Sequence, residues 1–476
     1  MVSNICCIGA GYVGGPSMAV MADFCPGVNI HVVDLDRQRI DAWNNLNDAP
    51  LPVYEPGLQE VLDRVRGRNL NFSTDVSGAI RSADMVFLSV NTPTKHRGQG
   101  AGAAADLTFI EQAARQIAVS GSGSTIVVER STLPVRTADV LSKILSQGRG
   151  SRFEILSNPE FMAEGTAIED LQNPDRVLVG GHSHAAVNEL AALYGNWVHP
   201  SRIITTNIWS AELAKLAANA FLAQRISSIN AIAAICECTG ADVEEVRCAI
   251  GADRRIGAEF LRSGPGFGGS CFRKDILNLV YLAEHYGLDE VAWYWRSVLD
   301  LNAWSQKRIS RMIVKALFGT LRDKRIAVLG FAFKANTNDT RESPAIGICR
   351  DLLHDGATLS IHDPRVSFES IQSLLAVDDA GVQLSGIVEK APTVLRACDG
   401  ADAVLILTDW HHYRELDWAT LAQRMRRPAW VFDTRRGTNL AEAEAQGLET
   451  WQIGRGGLNL SLIHISEPHE TGRNLV

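Results

Sequence analysis

The chain has 476 residues, 46% hydrophobic and 21% charged, with a formal net charge of −8. That length predicts two or three domains with sizeable cores, and the composition is that of an ordinary globular protein. The acidic balance argues against nucleic acid or an anionic membrane surface as a partner. No apolar run is long enough to span a bilayer, and the N-terminus opens into a strand without a signal-peptide layout. Nine cysteines, an odd number at scattered spacings, point to reduced thiols in a cytoplasmic setting and to no metal site.

Residues 5–8 read as a short apolar strand, followed at once by Gly9-Ala10-Gly11-Tyr12-Val13-Gly14 and a helical segment over 16–23. A second strand over 30–33 ends in Asp34, 20 residues after Gly14. This is the dinucleotide-binding layout. The first glycine permits the turn, the second lets a pyrophosphate approach the backbone, and the third lets helix pack on strand. The helix N-terminus stabilises phosphate charge. A carboxylate at Asp34 accepts from ribose hydroxyls and repels a 2′-phosphate, so NAD is expected rather than NADP.

Further strands over 84–90, 125–129 and 153–156 run into polar loops: Asn91-Thr92-Pro93-Thr94, Arg130-Ser131-Thr132, and Ser157-Asn158-Pro159-Glu160-Phe161-Met162-Ala163-Glu164-Gly165. Ligands of open α/β sheets bind beyond the carboxyl ends of strands, which puts these loops beside the nicotinamide half. Glu160 and Glu164 read either as helix-start residues or as groups facing the site.

Residues 210–238 form one long helical pattern, proline-free and stopped by Gly240, long enough to join two domains. Glu212, Lys215 and Asn219 share one face of it. They read either as a solvent-facing stripe or as a row aimed at a cleft. Arg254, Arg255 and Arg262 precede Gly264-Pro265-Gly266-Phe267-Gly268-Gly269-Ser270-Cys271-Phe272-Arg273-Lys274-Asp275. Here a lone cysteine lies in a glycine-rich loop just before a helical segment over 275–286. A helix N-terminus and nearby cations can lower a thiol pKa and make it a nucleophile, although a lone cysteine is more often inert core.

The last third repeats the first. Strands over 325–329, 359–362, 403–407 and 429–432 follow the same order, with Gly330 and Asp363 at the ends of the first two. The glycine fingerprint is replaced by Phe331-Ala332-Phe333-Lys334, so a second nucleotide-type domain with a different ligand is expected. Lys334 and Arg341 are its candidate phosphate contacts, and Arg435 and Arg436 follow the last of these strands.

Taken together, residues 9–14, 90–94, 131–132, 158–165, 215–219, 264–275 and 330–342 resemble the nucleotide-sugar dehydrogenases, the UDP-glucose/GDP-mannose dehydrogenase family. Residues 51–58 (Leu-Pro-Val-Tyr-Glu-Pro-Gly-Leu) and 98–107 are most similar to its animal-type members. Arg130 departs from the lysine many members carry. The resemblance implies a fold of two Rossmann-like doubly wound α/β domains joined by a long central helix. It divides the chain into an NAD-binding domain (1–208), a central helical region with the cysteine loop (209–322) and a UDP-sugar-binding domain (323–457). Residues 458–476 continue no pattern and read as a disordered or non-native tail.

The same resemblance implies a four-electron oxidation of UDP-glucose to UDP-glucuronate with NAD, through a Cys271 thiohemiacetal and thioester. Its catalytic group is Cys271, Lys215, Asn219, Asp275, Glu160 and Thr132. NAD is assigned to Gly9, Gly11, Tyr12, Val13, Gly14, Asp34, Arg39, Val90, Asn91, Thr92, Thr94, Ser131, Thr132, Glu164, Cys271, Lys274 and Arg341. The nucleotide sugar is assigned to Glu160, Phe161, Met162, Ala163, Glu164, Lys215, Asn219, Arg255, Phe260, Leu261, Phe267, Gly268, Lys334 and Arg435. A homo-oligomer is implied, a hexamer with the dimer as its building block. A related dehydrogenase acting on GDP-mannose or a UDP-N-acetylhexosamine is the alternative. A two-electron hydroxyacid dehydrogenase would not need Cys271, and a silent NAD-binding scaffold would not need the Lys215–Asn219–Asp275 set.

Overall fold

The computed structural model describes residues 2–45, 50–148, 152–378, 381–384 and 386–456. The expected tail over 458–476 lies outside the described residues. The chain packs as two units. The first takes residues 1–224, 268–299 and 335–338, and the second takes 225–267, 300–334 and 339–476.

The first unit is built on an eight-stranded sheet: β1 (Asn4–Ile8), β2 (Asn29–Val33), β3 (Leu70–Ser73), β4 (Met85–Leu88), β5 (Ser124–Glu129), β6 (Arg152–Ser157), β7 (Val177–Gly181) and β8 (Ile203–Thr206), in the order β3-β2-β1-β4-β5-β6-β7-β8. Every adjacent pair is parallel except β6 and β7. Strands buried on both faces need continuous apolar runs, and Ile5, Cys6, Cys7 and Met85 to Leu88 are all buried. The strand expected over 84–90 is shorter at both ends, because Ser89 and Val90 already turn into the loop beyond the sheet. Trp43 closes the same core, stacked on Phe72 with centroids 4.8 Å apart and donating from Nε1 to Ala10 O at 2.9 Å.

The second unit carries a six-stranded parallel sheet: β9 (Arg325–Leu329), β10 (Thr358–His362), β11 (Ile387–Lys390), β12 (Ala403–Ile406), β13 (Trp430–Asp433) and β14 (Glu449–Gln452), ordered β11-β10-β9-β12-β13-β14. The order is that of β1 to β6, so the sequence repeat is real for six strands. The first sheet then extends by two strands that the repeat did not foresee.

Six helices matter to the site: α1 (Gly14–Phe24), α2 (Thr137–Leu145), α3 (Ala167–Gln172), α4 (Ile208–Thr239), α5 (Phe272–His285) and α6 (Asp289–Ala316). α4 has 32 residues, alanine-rich and free of proline. At about 1.5 Å per residue it runs roughly 48 Å. Its residues up to 224 belong to the first unit and the remainder to the second. Glu212, Lys215 and Asn219 are all buried, so the solvent-stripe reading is excluded.

Candidate active site

In an open α/β sheet, the crevice lies where the strand order reverses, here between β1 and β4. Gly9 follows β1 with φ +108°, and a Cβ there would lie 2.4 Å from Ser89 O, just past β4. Only glycine lets the two loops approach this closely. A Cβ on Gly14 would meet Gly9 O at 2.0 Å, whereas a Cβ on Gly11 would meet nothing within 4 Å. The space at Gly11 is therefore left clear for something other than protein. No side chain caps α1; Gly15 N donates to Gly11 O at 3.1 Å and Pro16 has no N–H, so the pull on an anion there comes from the helix dipole. Asp34 ends β2. Its Oδ2 accepts from Ala10 N at 2.9 Å and from Arg39 Nη1 at 3.0 Å, and its Oδ1 accepts from Asp36 N at 3.0 Å. These residues fit a dinucleotide: a clear pyrophosphate approach at Gly11, a helix without a side-chain cap and a carboxylate after the second strand.

The second sheet shows the contrast. Asp363 ends β10 as Asp34 ends β2, but its Oδ2 accepts from Phe331 N (2.7 Å), Ala332 N (3.1 Å) and Trp410 Nε1 (3.4 Å). Its Oδ1 accepts from Arg365 N and Val366 N. That carboxylate is consumed by its own fold, which agrees with a different ligand for this domain.

All six catalytic candidates belong to the first unit. Cys271 is the N-cap of α5, and its carbonyl accepts from Asp275 N at 2.9 Å. Asp275, one turn along α5, is buried. Its Oδ2 accepts from Asn219 Nδ2 at 2.6 Å, and Lys274 Nζ lies 3.8 Å from its Oδ1. That Oδ1 makes no hydrogen bond among the described residues. Lys215, one turn before Asn219 on α4, pairs with Glu160 at 3.2 Å, both side chains over nine-tenths buried. Glu160 Oε2 also accepts from Met162 N at 2.9 Å. The ring of Phe161 lies between two cations, Arg176 at 3.8 Å and Lys215 at 5.3 Å.

The thiol departs from expectation. Burial pushes the Cys271 pKa up, and the Asp275 charge adds to the rise. Lys215 opposes it, Glu160 adds to it, and the Ser270 hydroxyl, 3.5 Å from Sγ, opposes it. The residue is only part-covered by exposed area, yet its sulfur sits among enough protein for desolvation to outweigh the helix terminus and the lysine. The resting group is a thiol. Burial likewise raises the Asp275 pKa, against the pull of Lys274, Lys215 and Asn219.

Thr132 is tied through its backbone to the 91–94 loop. Its carbonyl accepts from Thr92 Oγ1 at 3.0 Å, and that hydroxyl accepts from Lys274 Nζ at 3.2 Å. Ser131 Oγ donates to Val90 O at 2.6 Å, and Thr94 bridges to Ala105. Arg130 is buried. It donates to Asn158 O and Oδ1, to Tyr194 Oη and to Ser17 Oγ, fixing the start of the loop that carries Glu160. Glu160 and Glu164 do not start a helix: α3 begins at Ala167, and Glu164 Oε2 accepts from Thr337 Oγ1 at 3.5 Å.

The structure separates the remaining candidates by unit. Gly268 joins the first unit, whereas Arg255, Phe260, Leu261, Phe267, Lys334, Arg341 and Arg435 join the second. Arg435, half-buried, donates to Leu407 O (2.7 Å) and Phe333 O (3.0 Å). Lys334 Nζ lies 5.6 Å from the Phe333 ring. Arg255 is mostly exposed and paired with Asp253 at 2.6 Å, and Arg341 pairs with Asp339 at 2.6 Å.

Three supporting residues were not foreseen. Asn230 on α4 accepts from Gly264 N at 2.9 Å. Asn302 on α6 accepts from Phe267 N at 2.8 Å and donates to Phe267 O at 3.1 Å. Arg225 donates to the carbonyls of Ile256, Gly257 and Glu259 at 2.8–2.9 Å. Asn230 and Arg225 are polar groups on the largely apolar pattern of α4, the one signal that marked them, whereas Asn302 lies on the polar α6, where no such signal existed.

Comparison with known proteins agrees along the chain. Residues 3–198 match the NAD binding domain of the UDP-glucose/GDP-mannose dehydrogenase family, 209–304 its central domain and 327–439 its UDP binding domain. The chain is 52% identical over 466 residues to the UDP-glucose 6-dehydrogenase of Gallus gallus, covering 95% of this chain and 93% of that protein. It is equally 52% identical, over 471 residues, to UDP-glucose 6-dehydrogenase 3 of Arabidopsis thaliana, covering 95% and 97%. Animal and plant relatives thus match alike. Among solved structures, a UDP-glucose dehydrogenase from Pyrobaculum islandicum superposes with a TM-score of 0.82 at 30% identity, covering 96% of this chain and 98% of that one. The chain belongs to the UDP-glucose/GDP-mannose dehydrogenase family.

Proposed function

We propose that the chain oxidises C6 of UDP-glucose twice, giving UDP-glucuronate and passing two hydrides to two NAD⁺. The observation that carries this is the gathering of Cys271, Asp275, Asn219, Lys215 and Glu160 in the same unit as the NAD fingerprint. Its support is 52% identity to proteins named UDP-glucose 6-dehydrogenase.

NAD, when bound, accepts the hydride that leaves C6. The protein's own residues manage protons and charge. The Lys215–Glu160 pair takes the C6 hydroxyl proton as the aldehyde forms. The Cys271 sulfur then bonds to the aldehyde carbon as its S–H bond breaks and the proton passes to the aldehyde oxygen, which Lys215 and Asn219 stabilise as donors while it gains charge. The second hydride leaves the thiohemiacetal carbon while the hydroxyl proton passes through the Lys215–Glu160 pair to solvent, giving a thioester. Water adds to that carbonyl, the C–S bond breaks, the sulfur regains its proton and the acid leaves. Asp275 Oδ1 is placed to orient that water, and Glu160 with Thr132 assists the proton transfers.

Gly9 to Gly14, Asp34, Arg39, Val90 to Thr94, Ser131, Thr132, Glu164, Lys274 and Arg341 hold NAD in this reading. Phe161 to Glu164, Arg255, Phe260, Leu261, Phe267, Gly268, Lys334 and Arg435 hold the nucleotide sugar. The UDP binding domain matched over 327–439 supports the roles of Lys334 and Arg435.

The protein works as a homo-oligomer, a hexamer built from dimers. Phe221 on α4 and Trp293 and Tyr294 on α6 are exposed aromatics of the kind that mark an interface, and light scattering after gel filtration tests the assembly. None of the described helices is long and apolar enough to cross a membrane. A reducing cytoplasmic setting suits a reaction that needs Cys271 as a free thiol.

The deciding experiment is NADH yield per UDP-glucose. Two NADH per sugar, with turnover collapsing in Cys271→Ser, is expected. One NADH per sugar would refute the thioester route, and none would refute the substrate.

A further inference from the structure

The loop over 160–165 carries Glu160, Phe161 and Glu164, and it must be held in place for the Lys215–Glu160 pair to form. Three carboxylates accept its backbone amides. Glu160 takes Met162 N at 2.9 Å, and Asp170 takes Ala163 N at 2.8 Å. Both of these belong to the loop or to the helix that follows it. The third is Glu55, more than 100 residues earlier in the chain. Its Oε1 accepts from Gly165 N at 2.6 Å and its Oε2 from Ala167 N at 3.0 Å.

Glu55 is built for this position. It is 6% exposed. It lies in a turn where Leu58 N donates to Glu55 O at 3.2 Å, and a Cβ placed on Gly57, at φ +80°, would lie 3.5 Å from the Ile168 side chain on α3. The segment 55–58 therefore packs against the helix whose first amides Glu55 receives. α3 lacks the usual local cap: Thr166 precedes it, and its side chain accepts no amide. A buried helix start without an acceptor is costly, and here the acceptor comes from a distant segment. Gly165 has φ +83°, which fixes the direction in which the loop leaves Glu164. A charged acceptor makes both bonds stronger than neutral ones.

We propose that Glu55 is a positioning residue of the active site: its carboxylate sets the 160–165 loop through Gly165 and Ala167, and so aligns Glu160 with Lys215. This rests on the reading of Glu160 and Lys215 as catalytic. Glu55 touches no reacting atom in this account. In this account the 51–58 segment, which the reaction itself leaves unused, carries that carboxylate to the loop.

The test uses Glu55→Gln, nearly isosteric, which keeps one acceptor oxygen and turns an amide NH₂ toward the second N–H. Glu55→Asp is the companion variant, retaining both oxygens on a shorter stem, and it replaces Gln if the latter does not fold. Two readouts are taken on the full-length protein: hydrogen exchange of the 160–167 amides, and kcat and KM for UDP-glucose and NAD separately. Gln is expected to speed exchange in 160–167 while the amides of β1 and β2 stay as protected as before. It is expected to lower kcat by about ten- to a hundredfold, the scale of a 1 Å misplacement, with the NAD KM little changed. Asp is expected to recover part of kcat. Unchanged protection in 160–167 would overturn the proposal whatever the substrate proves to be. Lost protection with kcat within twofold of wild type would also overturn it. A wild type that ignores UDP-glucose would refute the substrate instead, and exchange would still decide whether Glu55 sets the loop.

Discussion

Asn219 Nδ2 donates to Asp275 Oδ2 across 2.6 Å, tying the middle of α4 to the first turn of α5 beside Cys271. The bond holds a carboxylate near a sulfur that must lose its proton to react. Burial holds the Cys271 pKa up, and the Asp275 charge adds to the rise.

Alkylation of Cys271 by iodoacetamide should therefore be slow at pH 7. Its rate should keep rising beyond the ordinary thiol pKa of about 8.5, since burial and Asp275 both raise the Cys271 value. Asp275→Asn removes one of these causes and should move the profile to lower pH. Lys215→Met removes an opposing cation and should move it higher. Profiles that coincide for all three proteins would refute this account of the site's electrostatics.

A second carboxyl pair lies behind the site. Glu212 accepts from Arg136 N at 2.7 Å and Ala138 N at 2.9 Å at the start of α2. Glu129, at the end of β5, is 1% exposed and meets no donor as an ionised carboxylate. Burial lifts its pKa well above the usual carboxylate range, and the charge of Glu212, a hydrogen bond to Glu212 and the charge of Asp139 lift it further. A proton on Glu129, donated to Glu212, satisfies both groups. The unfolded chain loses that proton at an ordinary pKa while the folded chain keeps it. Stability should thus fall as pH rises from the ordinary glutamate value to the raised one. Glu129→Gln supplies a permanent donor and should flatten the dependence, raising Tm at pH 8 by roughly 2–4 °C. Thermal melts from pH 5 to 9 check this. An unchanged slope in the variant would count against the shared proton.

The glycines of the fingerprint should divide by role. Gly14→Ala forces a Cβ to within 2.0 Å of Gly9 O and should destabilise the fold by about 1–3 kcal/mol. Gly11→Val enters open space and should leave Tm nearly unchanged while weakening NAD binding by tenfold or more. Calorimetric titration with NAD, beside a melting curve, separates the two. Equal effects of both substitutions on stability would contradict the assignment of Gly11 to cofactor approach.

Arg225→Ala leaves three carbonyls of the 256–259 turn without their guanidinium donor. The expected loss is about 1–2 kcal/mol of stability, with a raised KM for UDP-glucose and little change in kcat. The KM comparison decides whether the turn matters to the substrate or only to the fold.

The NAD fingerprint was readable because its parts are local. Gly9, Gly11 and Gly14 lie in one strand–turn–helix unit, and Asp34 ends the next strand, so spacing alone defines their geometry. The shared face of Glu212, Lys215 and Asn219 was readable for the same reason, from helical period. Their separate fates were not. Lys215 faces Glu160, Asn219 faces Asp275 and Glu212 caps α2, because the packing partners differ along one helix. Asp34 and Asp363 show the same limit: they follow equivalent strands, and only the loops around them set three donors on one carboxylate and five on the other.

By itself the sequence determined two nucleotide-type sheets, the long helix, the family and the residue types of its chemistry, because each is encoded in short-range pattern. Tertiary structure alone decided the burial that raises the Cys271 and Glu129 pKa values, the placement of Glu212 beside Glu129, and the Glu55 bonds to the Glu160 loop. Those properties depend on burial and on groups tens of residues apart in the chain, and no local spacing carries either.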